Sequence, residues 1–146
     1  MNIKRRRGIP GTLLVLCLVV LSSCATKSAT VSPGVDLSKI KTIYVIKLPA
    51  DERGVNGIIA EQLQAMGYQA TTGNETEIPQ DVDATLTYQD RWMWDITMYM
   101  IELNIQLRDP QAGFLLAEGE SYRPSKQRTS PAEMALEVLE SMLSKR

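Results

Sequence analysis

The period of the apolar pattern changes several times along the chain, and each change marks an element. Residues 42–48 (Thr-Ile-Tyr-Val-Ile-Lys-Leu) form a β-branched and aromatic run that ends at Pro49. The run is apolar on both faces and reads as a central strand. Val55, Ile59, Leu63 and Met66 then recur at helical spacing, Ile58 widens the stripe, and Gly67 stands where a left-handed terminating residue is wanted. This predicts an amphipathic helix over 54–66. Residues 68–71 read as a short second strand, and 72–83 as a polar, acidic loop around Pro79.

The next segment permits a register argument. Ala84, Leu86, Tyr88, Trp92 and Trp94 share one parity; Tyr99, Ile101, Leu103, Ile105 and Leu107 share the other. Strand side chains alternate between faces, so a hairpin must pair positions whose apolar sets coincide. Pairing Trp94 with Thr97 across Asp95-Ile96 does so. It sets Trp92 opposite Tyr99, Tyr88 opposite Leu103 and Leu86 opposite Ile105. A three-residue loop would put the apolar residues opposite Thr, Gln or Arg and is rejected, although the two-residue turn lacks the preferred glycine.

A turn at 109–113 carries Pro110 and Gly113. Pairing Arg108 with Phe114 then places Leu115, Ala117, Gly119 and Ser121 on the core face. Three of these four are small, which lets a helix approach closely. The last helix starts with Ser130 as cap, Pro131 in the first turn and Glu133 three residues after the cap. Met134, Ala135, Val138, Leu139, Met142 and Leu143 make its apolar stripe. The expected fold is α+β, a two-layer sandwich in β-α-β-β-β-β-α order. It has one mostly antiparallel sheet with two helices on one face.

The amino terminus follows a different logic. Lys4, Arg5, Arg6 and Arg7 precede an apolar run at 13–21, and small residues Ser22 and Ser23 follow. The run is too short to span a hydrocarbon core, which takes ~20 residues. It reads as a removed secretory signal. Leu21-Ser22-Ser23-Cys24 resembles the bacterial lipobox. The resemblance implies cleavage before Cys24, diacylation of its thiol with chains such as palmitate, and acylation of the new amino terminus. Several chains are needed, because one alone binds a membrane only marginally. Ala25 follows the cysteine where an Asp would signal inner-membrane retention. The resemblance thus implies the outer membrane, facing the periplasm. Residues 25–36 are small, polar and Pro/Gly-punctuated and read as a tether. The expected organisation is a signal at 1–23, a lipidated Cys24 with a tether to residue 36, and one domain over 37–146.

Cleavage changes the charge. It removes four of the 16 basic residues and none of the 17 acidic ones, leaving 12 against 17 and a net charge of −5. That balance argues against nucleic acid as a partner. The chain has no histidine, and its two cysteines are Cys17, in the signal, and Cys24. Cys–His and Ser–His nucleophilic catalysis, Cys/His zinc sites and disulfides are excluded for the mature chain. No phosphate-cradling or dinucleotide turn occurs, and no cofactor is expected.

Signal, lipobox, tether and a small β-α-β-β-β-α body are together similar to the small outer-membrane accessory lipoproteins. The lipopolysaccharide-assembly lipoprotein is one of these. Residues 88–95 (Tyr-Gln-Asp-Arg-Trp-Met-Trp-Asp), Tyr99 and the 107–113 turn are similar to the strand-rich half of uncharacterised members. With no nucleophile–base pair or metal set visible, the expected function is a non-enzymatic envelope lipoprotein that binds or supports a protein partner at the outer membrane. Because similar folds host different functions, the resemblance carries over no binding residue.

Five groups are candidates for chemistry. Asp90 falls on the apolar parity between Tyr88 and Trp92. A carboxylate there is either a raised-pKa acid, turned outward by a bulge, or in a structural pair with a nearby Arg. Tyr88, Trp92, Trp94, Tyr99 and Tyr122 could stack on sugars, in a carbohydrate- or peptidoglycan-binding module. Parity instead sends Tyr88, Trp92 and Tyr99 to the core and leaves Trp94 exposed at the hairpin end. The opposite sheet face carries Thr85, Thr87, Gln89, Arg91 and Met93, paired with Gln106, Asn104, Glu102, Met100 and Met98. With both helices on the other side, it is either a solvated face or a docking surface with adaptable methionines at its edge. The candidate partner contacts are Arg91, Met93, Trp94, Met98, Met100 and Glu102. Arg123, Lys126 and Arg128 form a basic loop that either is solvated or meets lipid headgroups or lipopolysaccharide phosphates. Asn74-Glu75-Thr76 matches a glycosylation acceptor by chance in a bacterial chain.

Overall fold

The computed structural model of the chain describes residues 24–144. The signal segment expected at 1–23 lies outside them. The described residues fold into one mixed six-stranded sheet with two α-helices. Thr26–Val31 forms β1, Thr42–Ile46 β2, Val55–Ala65 α1, Gln69–Gly73 β3, Ala84–Asp95 β4, Thr97–Arg108 β5, Leu115–Tyr122 β6 and Pro131–Leu143 α2. The strand order is β1-β6-β5-β4-β2-β3. The pairs β1–β6, β6–β5 and β5–β4 are antiparallel, whereas β2 is parallel to both β3 and β4.

The run read as a central strand is one. Ile43 and Val45 are fully buried and Tyr44 nearly so, because β2 lies between β3 and β4. Helix α1 crosses from β2 to β3 and buries Val55, Ile59, Ala60 and Leu63. Its start is capped from a distance. Asp51 Oδ2 accepts from the Asn56 amide at 3.2 Å and Oδ1 from the Arg53 amide at 2.8 Å. The Tyr88 hydroxyl donates to the same carboxylate at 2.6 Å, which ties the helix start to β4. Helix α2 begins with the expected box: Ser130 Oγ accepts from the Glu133 amide and the Glu133 carboxylate accepts from the Ser130 amide. Hydrogen bonds from Thr129 and Ser130 hold the Glu133 carboxyl down at about 2. All six residues of its stripe are buried.

The face of small residues does what its composition suggests. A Cβ at Gly119 would lie 2.7 Å from Met142 Cγ and 2.9 Å from Val138 Cγ1. Helix α2 packs onto the β6 backbone there, with Ala117 and Ser121 fully buried on either side.

Three expectations are corrected. First, the segment read as a tether is not one. Residues 26–31 pair in register with β6, from Thr26 opposite Tyr122 to Val31 opposite Ala117, and Ala29 and Val31 pack against the core. The folded domain therefore begins two residues after Cys24.

Second, the β4–β5 register differs. At the tip Trp94 pairs with Met98 and Asp95 with Thr97, the three-residue connection that parity had rejected. An irregularity at Arg91/Trp92 then inserts one extra residue of β5, so that Tyr88 faces Ile105 and Leu86 faces Leu107. The bulge restores the coincidence of apolar faces below it, displaced by two residues from the expected pairing. A second irregularity at Leu107/Arg108 does the same for β5–β6, where Arg108 pairs with Leu115 and Phe114 is exposed.

Third, the bulge reverses parity beyond itself. Met100, expected on the open face, is buried to 1% and belongs to the core cluster. Tyr99, expected to face the helices, lies outside that cluster beneath the Arg128 guanidinium, 3.9 Å from its ring centroid.

Candidate functional site

Two surfaces gather the residues singled out by the sequence. One is the end of the sheet where the chain begins. β1 runs parallel to β5, since both are antiparallel to β6, and the row Thr26–Tyr122–Glu102–Arg91 crosses the sheet at this end. Cys24 is exposed two residues beyond that row. The Ala25 amide donates to Gln127 Oε1 at 3.1 Å, which fixes the residues just before β1 against the turn at Ser125–Gln127. From the same row the β4–β5 hairpin continues outward. Its tip exposes Met93 (45%), Trp94 (69%), Ile96 (88%) and Met98 (46%).

The basic loop braces this hairpin. Arg128 donates from Nη2 to Asp95 Oδ2 at 2.7 Å and from Nη1 to Thr97 Oγ1 at 3.4 Å, while its plane covers Tyr99. Arg123 pairs with Glu137 of α2. Two of the three basic residues expected in a solvated or headgroup-binding loop are thus committed to ion pairs. Lys126 is exposed.

The second surface is the sheet face away from the helices. Arg91 pairs with Glu102 across the strands, and Asn104 Nδ2 donates to Glu102 Oε1 at 2.8 Å. A shallow groove of about 260 Å³ runs over Gln89, Asn104, Gln106, Glu118, Glu120 and Ser28. The face is polar with carboxylates and amides alternating. The contributions of Glu118, Glu120 and Ser28 were missed in the sequence. Glu118 and Glu120 were legible as the opposite parity to Ala117 and Gly119, but Ser28 lay in the supposed tether.

Of the six candidate contacts, Arg91, Glu102 and Met93 share the open face. Trp94 and Met98 pair with each other at the tip, and Met100 is withdrawn into the core. Asp90 is half-buried, and its Oδ2 accepts from Trp92 Nε1 two residues on. That is a structural pair, made with an indole. Trp92 packs against the core, with the Arg53 guanidinium 4.6 Å from its ring centroid.

The largest electrostatic perturbation lies elsewhere, at Tyr88, whose hydroxyl is hydrogen-bonded to Asp51. Burial, and then the hydrogen bond to Asp51, push the Tyr88 phenol well above its ordinary range. Burial pushes the Asp51 carboxyl up, but the Tyr88 hydroxyl and the amides of Arg53, Asn56 and Gly54 outweigh it and hold it below its ordinary value. This pair joins α1 to β4, and Tyr88 lines a small cavity of about 200 Å³ with Leu48, Thr87 and Gln89. Among the described residues no three metal-ligating side chains cluster, and no helix is long and apolar enough to cross a membrane.

The arrangement defines a small α+β domain that presents one polar sheet face and one apolar hairpin tip. No protein-family model and no curated protein matches the sequence. Among solved structures the chain is similar to the PelC dodecamer from Paraburkholderia phytofirmans. The TM-score is 0.61 at 18% identity, covering 84% of this chain and 99% of that one. A variant of the same protein gives a TM-score of 0.60 at 17% identity, covering 84% of this chain and 100% of that one. The likeness is one of fold.

Proposed function

We propose that this chain is a lipid-anchored bacterial envelope lipoprotein, a non-enzymatic partner-binding or assembly accessory at the periplasmic side of the outer membrane. The observation that carries the reading is the position of Cys24. The lipobox resemblance Leu21-Ser22-Ser23-Cys24 ends on an exposed thiol, and an ordered edge strand starts two residues later. Processing enzymes reach such a thiol without unfolding the domain, and its acyl chains then hold the sheet end directly at the bilayer.

The chain's own copies are the first partners to test. The similar fold was solved as a dodecamer, which supports self-association as the mode of assembly.

The deciding experiment is metabolic labelling with a radioactive fatty acid, followed by membrane fractionation. Wild type should be labelled and sediment with outer membranes. Cys24→Ser should lose the label and appear in the soluble periplasmic fraction, because a hydroxyl does not replace the thiol acceptor. Undiminished pelleting of Cys24→Ser in high salt would sink the lipoprotein reading.

A second reading is a carbohydrate- or peptidoglycan-binding module, favoured by the groove of amides and carboxylates over Gln89, Asn104, Gln106 and Glu118. Co-sedimentation of the protein with purified peptidoglycan, lost in Asn104→Ala with Gln106→Ala, would support it over a protein partner.

A further inference from the structure

We infer that the tip of the β4–β5 hairpin is a second membrane contact. Trp94, Ile96 and Met98 enter the headgroup–acyl boundary of the leaflet that holds the acyl chains on Cys24. This rests on the lipoprotein reading above and adds to it how the domain is oriented.

The composition of the tip comes first. From 92 to 100, seven of nine residues are apolar or aromatic, and Asp95 is the only charged one. Trp92, Met100 and Tyr99 are drawn inward, but Trp94, Ile96 and Met98 are left in the open. Contiguous exposed apolar side chains on a small domain mark an interaction site. Tryptophan in particular prefers the boundary between headgroups and acyl chains, where its ring is apolar and its N–H stays wet.

Position then selects the occupant. Cys24 lies two residues past the Thr26–Tyr122–Glu102–Arg91 row, and Ile96, in the turn just after β4, lies five residues past Arg91 on the same side of that row. At ~3.3 Å per strand residue, and less where the twist of the sheet turns β4 away from β1, the tip projects up to about 10 Å further than Cys24. Interfacial apolar faces sit roughly 5–10 Å deep. If the acylated Cys24 rests at headgroup level, the tip is therefore within the depth that amphipathic elements occupy.

Charge agrees. Arg128 neutralises Asp95, so the tip presents no uncompensated carboxylate to anionic headgroups, and Lys126, two residues before Arg128 in the chain, is exposed. Ile96 itself adopts φ 62°, a conformation that strains a β-branched residue and suits Gly or Asn. An isoleucine there offers the apex only its apolar surface. A solvated turn would be better made without it.

The test uses the full-length, acylated protein reconstituted into vesicles of phosphatidylethanolamine and phosphatidylglycerol, with plain or brominated acyl chains. Trp94 emission should be quenched by the bromines and shifted to the blue. Trp94→Phe, which keeps Trp92, should remove the quenched component. The acyl label on Cys24 is read on the same sample. A labelled, vesicle-bound protein whose emission is the same with plain and brominated lipid overturns the inference and leaves the lipoprotein reading intact. Unlabelled Cys24 overturns both. If the tip instead joins two copies, Ile96→Asp will dissociate an oligomer in sedimentation while wild-type quenching is absent, and that result also overturns it. Circular dichroism on Ile96→Asp and Trp94→Phe should match wild type, since both positions are exposed.

Discussion

Tyr88 shows how a single residue can act at two levels. Its ring fills the core between sheet and helices, and its hydroxyl satisfies a carboxylate that in turn caps α1. Removing the hydroxyl in Tyr88→Phe leaves Asp51 short of a charge-assisted partner, at a cost of about 1–3 kcal/mol. The pH dependence carries a signature of its own. A phenol whose folded pKa is raised contributes stability that is present below its ordinary value of 10.0 and is lost as pH rises through the folded value. Asp51, held below its ordinary 3.8, contributes stability above that value that is lost as pH falls through the folded one. Urea midpoints of wild type should therefore fall on both the alkaline and the acid side. Tyr88→Phe should show a smaller alkaline fall, the remainder coming from Tyr44, which burial also raises, and a shallower acid one. Parallel profiles for the two proteins would mean that the Tyr88–Asp51 pair does not govern the pH dependence of stability.

At the scale of elements, the β4–β5 hairpin separates what periodicity can read from what it cannot. Below the bulge the face assignment from parity stands. Leu103→Ala should cost ~2–5 kcal/mol as a core truncation, and Asn104→Ala under about 0.5 kcal/mol. Beyond the bulge parity inverts. Met100→Glu buries an unpaired charge and should unfold or destabilise the domain by several kcal/mol, whereas Met98→Glu, at an exposed position, should change stability by no more than ~0.5 kcal/mol. Equal thermal midpoints for these two mutants would place the bulge elsewhere. The sequence could not show it, because the alternation argument assumes an unbroken ladder. One extra residue in β5 satisfies both the three-residue tip and the apolar pairing beneath it. The elements with chemical punctuation were legible. Ser130, Pro131 and Glu133 mark the start of α2 whatever surrounds it, and the small face of β6 forecast the close approach at Gly119. There Gly119→Ala should cost about 1–3 kcal/mol by overpacking against Met142 and Val138.

At the scale of the whole molecule, the largest misreading was the first strand, and its cause is physical. Thr26–Val31 is an edge strand whose pattern is mostly exposed, so polar residues line it as they would a tether. Only Ala29 and Val31 touch the core, too few to make an apolar period. Yet β1 covers the free edge of β6 and packs beside α2, and it joins the domain to Cys24 with no slack. A chain beginning at Leu37, the boundary that composition suggests, would leave the β6 backbone unpaired and uncover that side of the core. Losing the ladder and two apolar side chains should cost roughly 2–4 kcal/mol and give the molecule a bare strand edge that templates association. A chain beginning at Ala25 should keep full stability. Urea denaturation and sedimentation of the two chains decide the matter. The longer should be monodisperse with the higher midpoint, and the shorter should unfold earlier and self-associate. If both unfold at the same urea concentration, β1 lies on the sheet without supporting it, and Cys24 is free to hold the domain on a loose lead after all.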